Sequence, residues 1–184
     1  MLYGLPADTV QIYRTAAAGM DINVCVLDDS DLDTEVADLF AGNSTESENR
    51  CHAFSDSYML YQGMEKQELL ELGSRITGKT STIHDITIVR TLSNQSWTLR
   101  KLFEETARES VLVQKLDHLM ELLKQANQVD LSRLDINDTE LYKAAVMKGF
   151  VILQEKHEDP SEIDEALRLL TDILERCGRK GDYS

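Results

Sequence analysis

The octet at 73–80, GSRITGKT, matches the phosphate-binding pattern G-x-x-x-x-G-K-[ST] at every fixed position. In such a loop the glycines let backbone N–H groups point at a phosphate. The lysine neutralises the β- and γ-phosphate oxygens, and the hydroxyl coordinates Mg²⁺. These roles would fall to Gly73, Gly78, Lys79 and Thr80, which are therefore the candidate residues for a nucleotide-binding site.

The sequence around the octet does not resemble the surroundings of a phosphate-binding loop. Such a loop follows a buried strand, and later β–α units supply an acidic residue that helps to hold the Mg²⁺ ion. The preceding segment, EKQELLEL at 65–72, has charged residues and glutamine where a central strand is apolar. A glycine can equally end a helix or relax a turn. A structural turn is our main interpretation, and a small nucleotide-binding protein is the alternative.

A second group of side chains suited to chemistry is acidic: Asp28, Asp29, Asp31 and Asp33. Read as a calcium loop beginning at Asp29, the group has Thr34 where glycine is needed and Phe40 where a bidentate glutamate is needed, so this interpretation fails. Acidic residues also suit the start of a helix. We expect Asp33 to cap a short helix, with Leu32 packing against it.

No other pattern indicates catalysis or metal binding. The three cysteines, Cys25, Cys51 and Cys177, are scattered without a C-x-x-C pair, and no histidine spacing resembles a zinc site. The G-x-S-x-G nucleophile motif is absent. We therefore expect no cofactor and no metal, and the sequence favours a protein that is not an enzyme.

The charge of the chain limits its partners. Its 184 residues carry a net charge of −14, and between 21 and 72 thirteen acidic residues face only Arg50 and Lys66. A nucleic-acid binder needs a basic face, so this class is disfavoured, and a protein with a basic surface is the expected partner. Without a signal-like start or an apolar run of about 18 residues, we expect no membrane insertion and a cytoplasmic location.

The first half of the chain mixes weak helix and strand signals. Helical patterns cover 8–18 and 65–72, and a strand-like alternation covers 20–27. The β-branched run at 82–92 is the partner that this strand could pair with, but Ile83, Ile86 and Val89 in it also have helical spacing. The region therefore reads as irregular and acidic, but it can hold a short strand or hairpin.

The second half gives stronger helical patterns. From Ser96 to about 128, apolar residues step by four and three positions along a seam of Leu112, Leu116, Leu119, Leu123 and Ala126. A second helix, capped by Asn137 with Ile136 packing onto Leu141, offers an apolar face of Tyr142, Val146, Phe150 and Leu153, with Gly149 as a site of close helix approach. A third begins at Asp159-Pro160 and ends near Gly178.

These patterns predict a mainly α protein with an antiparallel bundle of three helices at about 96–177. We expect an acidic, partly irregular arm at 1–60, a helical bundle at 61–178 and a flexible tail at 179–184. The predicted function is non-catalytic protein–protein interaction, as an adaptor, chaperone or assembly factor. Binding or oligomerisation would use the leucine seam, and Asp28, Asp29, Asp31 and Asp33 would add selectivity.

Overall fold

The computed structural model describes residues 1–42, 52–77, 79, 85–155 and 159–181. The chain divides into two compact units, Met1–Thr106 and Ala107–Ser184. It is mainly helical, with a small mixed sheet. No helix in the described part of the chain has an apolar stretch of the length that crossing a bilayer requires.

The first unit is built on a sheet that has four strands in its described residues. These are β1 (Leu2–Tyr3), β2 (Val26–Leu27), β3 (Tyr58–Tyr61) and β4 (Ile86–Val89). Their order across the sheet is β2-β1-β3-β4. The β1–β2 and β3–β4 pairs are parallel, whereas the central β1–β3 pair is antiparallel, with Leu2 opposite Met59.

The elements of this unit repeat once along the chain. Helix α1 (Ala7–Ala17) connects β1 to β2, and α3 (Lys66–Ile76) connects β3 to β4; both helices contain 11 residues. Helix α2 (Val36–Phe40) follows β2, and α4 (Leu99–Ala126) follows β4. Because parallel neighbours require a crossover, each half is one β–α–β unit with a helix after it.

Reciprocal hydrogen bonds join equivalent elements of the two halves, as an approximate twofold axis between the halves would require. The Val36 N–H at the start of α2 donates to the Trp97 carbonyl at 3.0 Å, and the Leu99 N–H at the start of α4 donates to the Thr34 carbonyl at 3.0 Å. The residues that precede the two helices form an antiparallel bridge. An antiparallel pairing of this kind, like that of β1 with β3, is what such an axis produces.

The sequence indicated both outer strands, but the pairing that it suggested between them is wrong. Only the last two residues of 20–27 form β2, and the run at 82–92 contains β4 within its described residues. These strands lie at opposite edges of the sheet and do not pair with each other. Each pairs instead with a central strand, β1 or β3, that the sequence analysis missed.

The two faces of the sheet carry separate cores. One face packs Leu2 and Met59 against Tyr13 of α1 and Leu72 of α3. The other face packs apolar side chains against α2 and the first turns of α4; they are Tyr3, Leu27, Leu32, Val36, Leu39, Tyr58, Leu60, Ile88, Leu99, Leu102 and Phe103. Burial of both faces explains why strands this short persist, because isolated short strands are marginal in water.

The second unit is helical. Helices α5 (Ile136–Glu155) and α6 (Pro160–Gly181) pack with α4 around one core, as expected. Asp138 near the start of α5 lies 3.9 Å from Arg176 near the end of α6, and Lys148 forms an ion pair with Glu165. Helices α5 and α6 are therefore antiparallel.

Two of the three expected helix caps differ in the structure. The Asp159 carboxylate accepts the Ser161 N–H at 2.9 Å at the start of α6, as expected. Helix α5 begins before Asn137, and the Asp135 carboxylate accepts the Asp138 N–H at 2.8 Å. Ile136 is 82% exposed and therefore does not pack as expected. Helix α2 has Glu35 rather than Asp33 at its N-cap, and no side chain caps it.

Candidate interaction surface

Asp28 and Asp31 hold a turn together inside the first unit. Asp28 is the N-cap and Asp31 the last residue of a single 3-10 turn at Asp29–Asp31, where the Asp28 carboxylate accepts the Ser30 N–H at 2.7 Å. The Asp31 carboxylate accepts the Asp28 N–H at 3.0 Å. Both aspartates are buried, with exposures of 6% and 2%. Their carboxylates satisfy backbone donors of this chain, as capping residues do.

Asp29 is also engaged within the unit. The Tyr3 hydroxyl donates to its carboxylate at 2.6 Å, and the Ala53 N–H donates to the same oxygen at 2.9 Å. Burial, followed by this hydrogen bond, raises the pKa of Tyr3 to about 12. Asp33 forms an ion pair with Arg100 at 3.0 Å, but its side chain stays 81% exposed. Of the four candidate aspartates, Asp33 is therefore the accessible one.

The candidate phosphate-binding residues begin inside a helix. Gly73 lies in α3, and its carbonyl accepts the Thr77 N–H at 2.9 Å and the Thr77 hydroxyl at 2.8 Å. The Lys79 N–H donates to the Ile76 carbonyl at 3.0 Å. Gly78 and Thr80 lie outside the described residues. Since a helix rather than a strand leads into the octet, the nucleotide-binding alternative depends on the sequence pattern alone.

The leucine seam of α4 packs within the chain. Leu119 and Leu123 are 0% and 3% exposed and belong to the core that α4 shares with α5 and α6. Leu112 and Leu116 are half-buried against the same core. The seam thus does the packing that its spacing predicted, and its use as an intermolecular interface stays a prediction.

Helix α5 has apolar residues on both of its sides. At 144–153, AAVMKGFVIL, eight of ten residues are apolar and only Lys148 and Gly149 are not. A surface helix normally has one apolar stripe and one polar face, as α6 does. A helix that is apolar all round is normally buried on all sides. Among the described residues α5 packs against α4 and α6 on one side, while apolar residues on its other side stay exposed.

Packing against α4 and α6 fixes which side of α5 points inward. Tyr142, Ala145, Gly149 and Ile152 are buried, and the Tyr142 hydroxyl donates to the Ala126 carbonyl at 2.6 Å. Burial raises the pKa of Tyr142. A Cβ built on Gly149 would stand 3.1 Å from the Leu170 Cδ1, so the helices meet closely at this glycine.

The opposite side of α5 exposes an apolar strip, which we call the outer strip and define as Met147, Phe150 and Val151. These side chains are 70%, 47% and 40% exposed. Their i, i+3, i+4 spacing places them on one face of the helix. Lys143, one turn before Met147, forms an ion pair with Glu140 at 3.0 Å, so the charges beside the strip offset each other. Helix α4 also exposes Val111, Val113 and Met120, but these residues lack the i, i+3, i+4 spacing of the outer strip.

The outer strip was not expected from the sequence, because the spacing indicated one apolar face on α5. Phe150 was expected on the packed side with Tyr142 and Val146, whereas its side chain is 47% exposed. The nearly continuous apolar composition at 144–153 was the available signal. An amphipathic surface helix needs apolar residues on its packed side only.

The described residues contain no cluster of three or more His, Cys, Asp and Glu side chains suited to a metal ion. Comparison of this chain with models of protein families, with curated proteins and with solved structures found no match. Among the exposed apolar side chains of the described residues, those of the outer strip share one helix face at i, i+3 and i+4 spacing.

Proposed function

We propose that this chain is a non-catalytic interaction protein, an adaptor or assembly factor, whose outer strip on α5 binds a helix of a partner protein. The observation that carries the proposal is the exposure of Met147, Phe150 and Val151 on a helix that already buries its opposite side. Burial of apolar side chains of this size is the main favourable term in protein association. Grouped exposed apolar residues are typical of binding surfaces.

The shape of the strip favours a helical ligand. Three apolar residues at i, i+3 and i+4 form the kind of ridge that fits between side chains of a second helix. Phe150 and Met147 supply a large ring and an adaptable thioether, which are both common in interface centres. The ion pair of Lys143 with Glu140 lies one turn away, where an interface has its polar rim.

The charge of the chain favours a basic partner over a second copy. Each chain carries a net charge of −14, so two copies repel each other at low salt. Both lysines of α5 that lie near the strip, Lys143 and Lys148, are already paired with glutamates. A helix with an apolar face and flanking lysine or arginine residues would be attracted to this surface and would bind faster at low salt.

Peptide binding tests the proposal directly. The probe is a fluorescent peptide of about 20 residues with leucines on one helical face and lysines beside them. A matched peptide carries glutamate in place of each lysine. We expect the lysine peptide to bind the full chain in an anisotropy titration, and Met147→Gln to weaken it about tenfold, because interface centres carry most of the binding energy.

Leu70→Gln is the matched control. Leu70 is 65% exposed on α3, so the change removes a comparable exposed apolar side chain far from the strip in sequence. Both variants should keep the native unfolding free energy within about 0.5 kcal/mol, as exposed substitutions usually do. Equal weakening by both variants, or equal binding of the glutamate peptide, would contradict the proposal. A native dimer in sedimentation that Met147→Gln dissociates would make a second copy the occupant instead.

A further inference from the structure

The first unit contains a cavity of about 390 Å³ that the proposed function does not use. It lies where the connection into β2, the start of β1 and the connection from β3 to α3 come together. Asn23, Val24 and Gln62 contribute to its walls. Its volume falls within the range of pockets that hold small organic ligands.

Four methionines and four leucines contribute to the apolar wall of this cavity. Met1, Met20, Met59 and Met64 line it, which is four of the six methionines in the chain. Met59 is buried and the other three are half-buried. Methionine side chains are flexible and polarizable, so a wall of this kind adapts to apolar ligands of differing shape.

The charged side chains at the cavity are acidic. Asp21 and Glu68 line it, and no Lys, Arg or His is among its described lining residues. At the start of α3 the Glu65 N–H donates to the Glu68 carboxylate at 2.7 Å and the Glu65 carboxylate accepts the reciprocal bond, so two carboxylates occupy this end of the helix.

We propose that this cavity binds a small, largely apolar molecule that carries one positive charge, such as an alkylammonium ion. The apolar part would pack against the methionine and leucine side chains, and the Asp21 and Glu68 carboxylates would attract the ammonium group. An anionic ligand of the same length would meet two like charges. The proposal is independent of the outer strip, which belongs to the other unit.

Methionine methyl NMR of the full chain tests this inference with three probes of equal length, octylammonium, 1-octanol and octyl sulfate. We expect octylammonium to shift the methyl signals of Met1, Met20, Met59 and Met64 in a saturable way. Met120 and Met147 lie in the second unit and serve as internal controls. Octylammonium should bind about tenfold more tightly than 1-octanol, because one partly exposed charge pair contributes modestly. Octyl sulfate should bind more weakly than both, because its charge has the same sign as Asp21 and Glu68.

The double variant Asp21→Asn, Glu68→Gln separates charge recognition from apolar burial. Glutamine at 68 keeps the acceptor that the Glu65 N–H uses, so the start of α3 should be preserved. We expect the variant to bind 1-octanol as the native chain does, while the preference for octylammonium falls to about twofold or less. Three results would overturn the inference: equal shifts of all six methyl signals, equal binding of octyl sulfate, or an unchanged preference in the double variant.

Discussion

The ring of Tyr58 stacks on the ring of Phe103, with centroids 3.9 Å apart and planes 10° from parallel. Tyr3 packs against the same phenylalanine at 4.9 Å. Although both tyrosines are buried, their hydroxyls differ. The Tyr3 hydroxyl donates to Asp29, whereas the Tyr58 hydroxyl has no hydrogen-bond partner among the described residues. The two phenol groups therefore make opposite contributions to stability.

Removing the two hydroxyls should have effects of opposite sign. We expect Tyr58→Phe to stabilise the chain by about 1 kcal/mol, because it removes a buried polar group that has lost its water without gaining a partner. Tyr3→Phe should destabilise the chain by about 1–3 kcal/mol, because it leaves the Asp29 carboxylate with one donor fewer. Urea unfolding of both variants measures the difference. Destabilisation of similar size in both would mean that the Tyr58 hydroxyl is satisfied in solution.

The same two phenols predict how stability depends on alkaline pH. Burial raises the pKa of Tyr3 and of Tyr58 to about 12, from an ordinary value of 10.0. In the folded chain the neutral phenols are favoured. Their contribution to the free energy of unfolding is complete below pH 10 and is lost as the pH rises from 10 to 12. The ultraviolet titration of tyrosine should show a late phase near pH 12, followed or accompanied by unfolding. The Tyr58→Phe variant should reduce the amplitude of that phase, and an unchanged amplitude would contradict the assignment.

Acidic residues that are close in sequence should differ in their effect on stability. Asp28→Ala removes a buried carboxylate that caps a turn, and we expect a loss of about 1–2 kcal/mol. Asp33→Ala removes an exposed partner of Arg100, and the loss should stay below about 0.5 kcal/mol. Thermal and urea unfolding of the two variants test this order. If Asp33→Ala were the more destabilising change, the structural role assigned to Asp28 would be wrong.

The helices could be predicted from the sequence because each carries its own periodic pattern. The seam through Leu119 and Leu123 and the cap at Asp159 depend on neighbours three or four residues away. The central strands could not be predicted in this way. Leu2–Tyr3 is too short to show an alternating pattern, and it is held by pairing with two strands that lie more than twenty positions further along the chain. The internal repeat is visible in those long-range strand pairings, so the local sequence patterns did not reveal it.

The candidate surface was harder to predict than the fold because exposure is set by packing. From the sequence, Phe150 and Tyr142 look equivalent, since both are large apolar residues on α5. Only the position of Gly149 against Leu170 decides which of them points inward. In the same way, Asp28 and Asp33 look alike until the turn at Asp29–Asp31 buries one of them. Composition favoured an interaction role, but it could not identify the exposed side chains on which the proposed role depends.

Alanine at two helical glycines should have different effects, and this comparison tests the packing that orients α5. Gly73 lies in α3, and a Cβ added to it would have nothing within 4 Å, so Gly73→Ala should stabilise the chain by about 0.5–1 kcal/mol through helix propensity. At Gly149 a Cβ would meet Leu170 at 3.1 Å and Leu123 at 3.2 Å. Overpacking there should cancel the gain, which leaves Gly149→Ala near neutral.

A larger side chain at the same position makes the test decisive. Gly149→Leu should cost about 3 kcal/mol or more, because a whole side chain cannot enter a space that is tight for one methyl group. Urea unfolding of the three variants should give the order Gly73→Ala, Gly149→Ala, Gly149→Leu from most to least stable. Stability of Gly149→Leu equal to that of the native chain would mean that α5 does not press against Leu170. The side of α5 that carries Met147 and Phe150 would then no longer be fixed as the outer one.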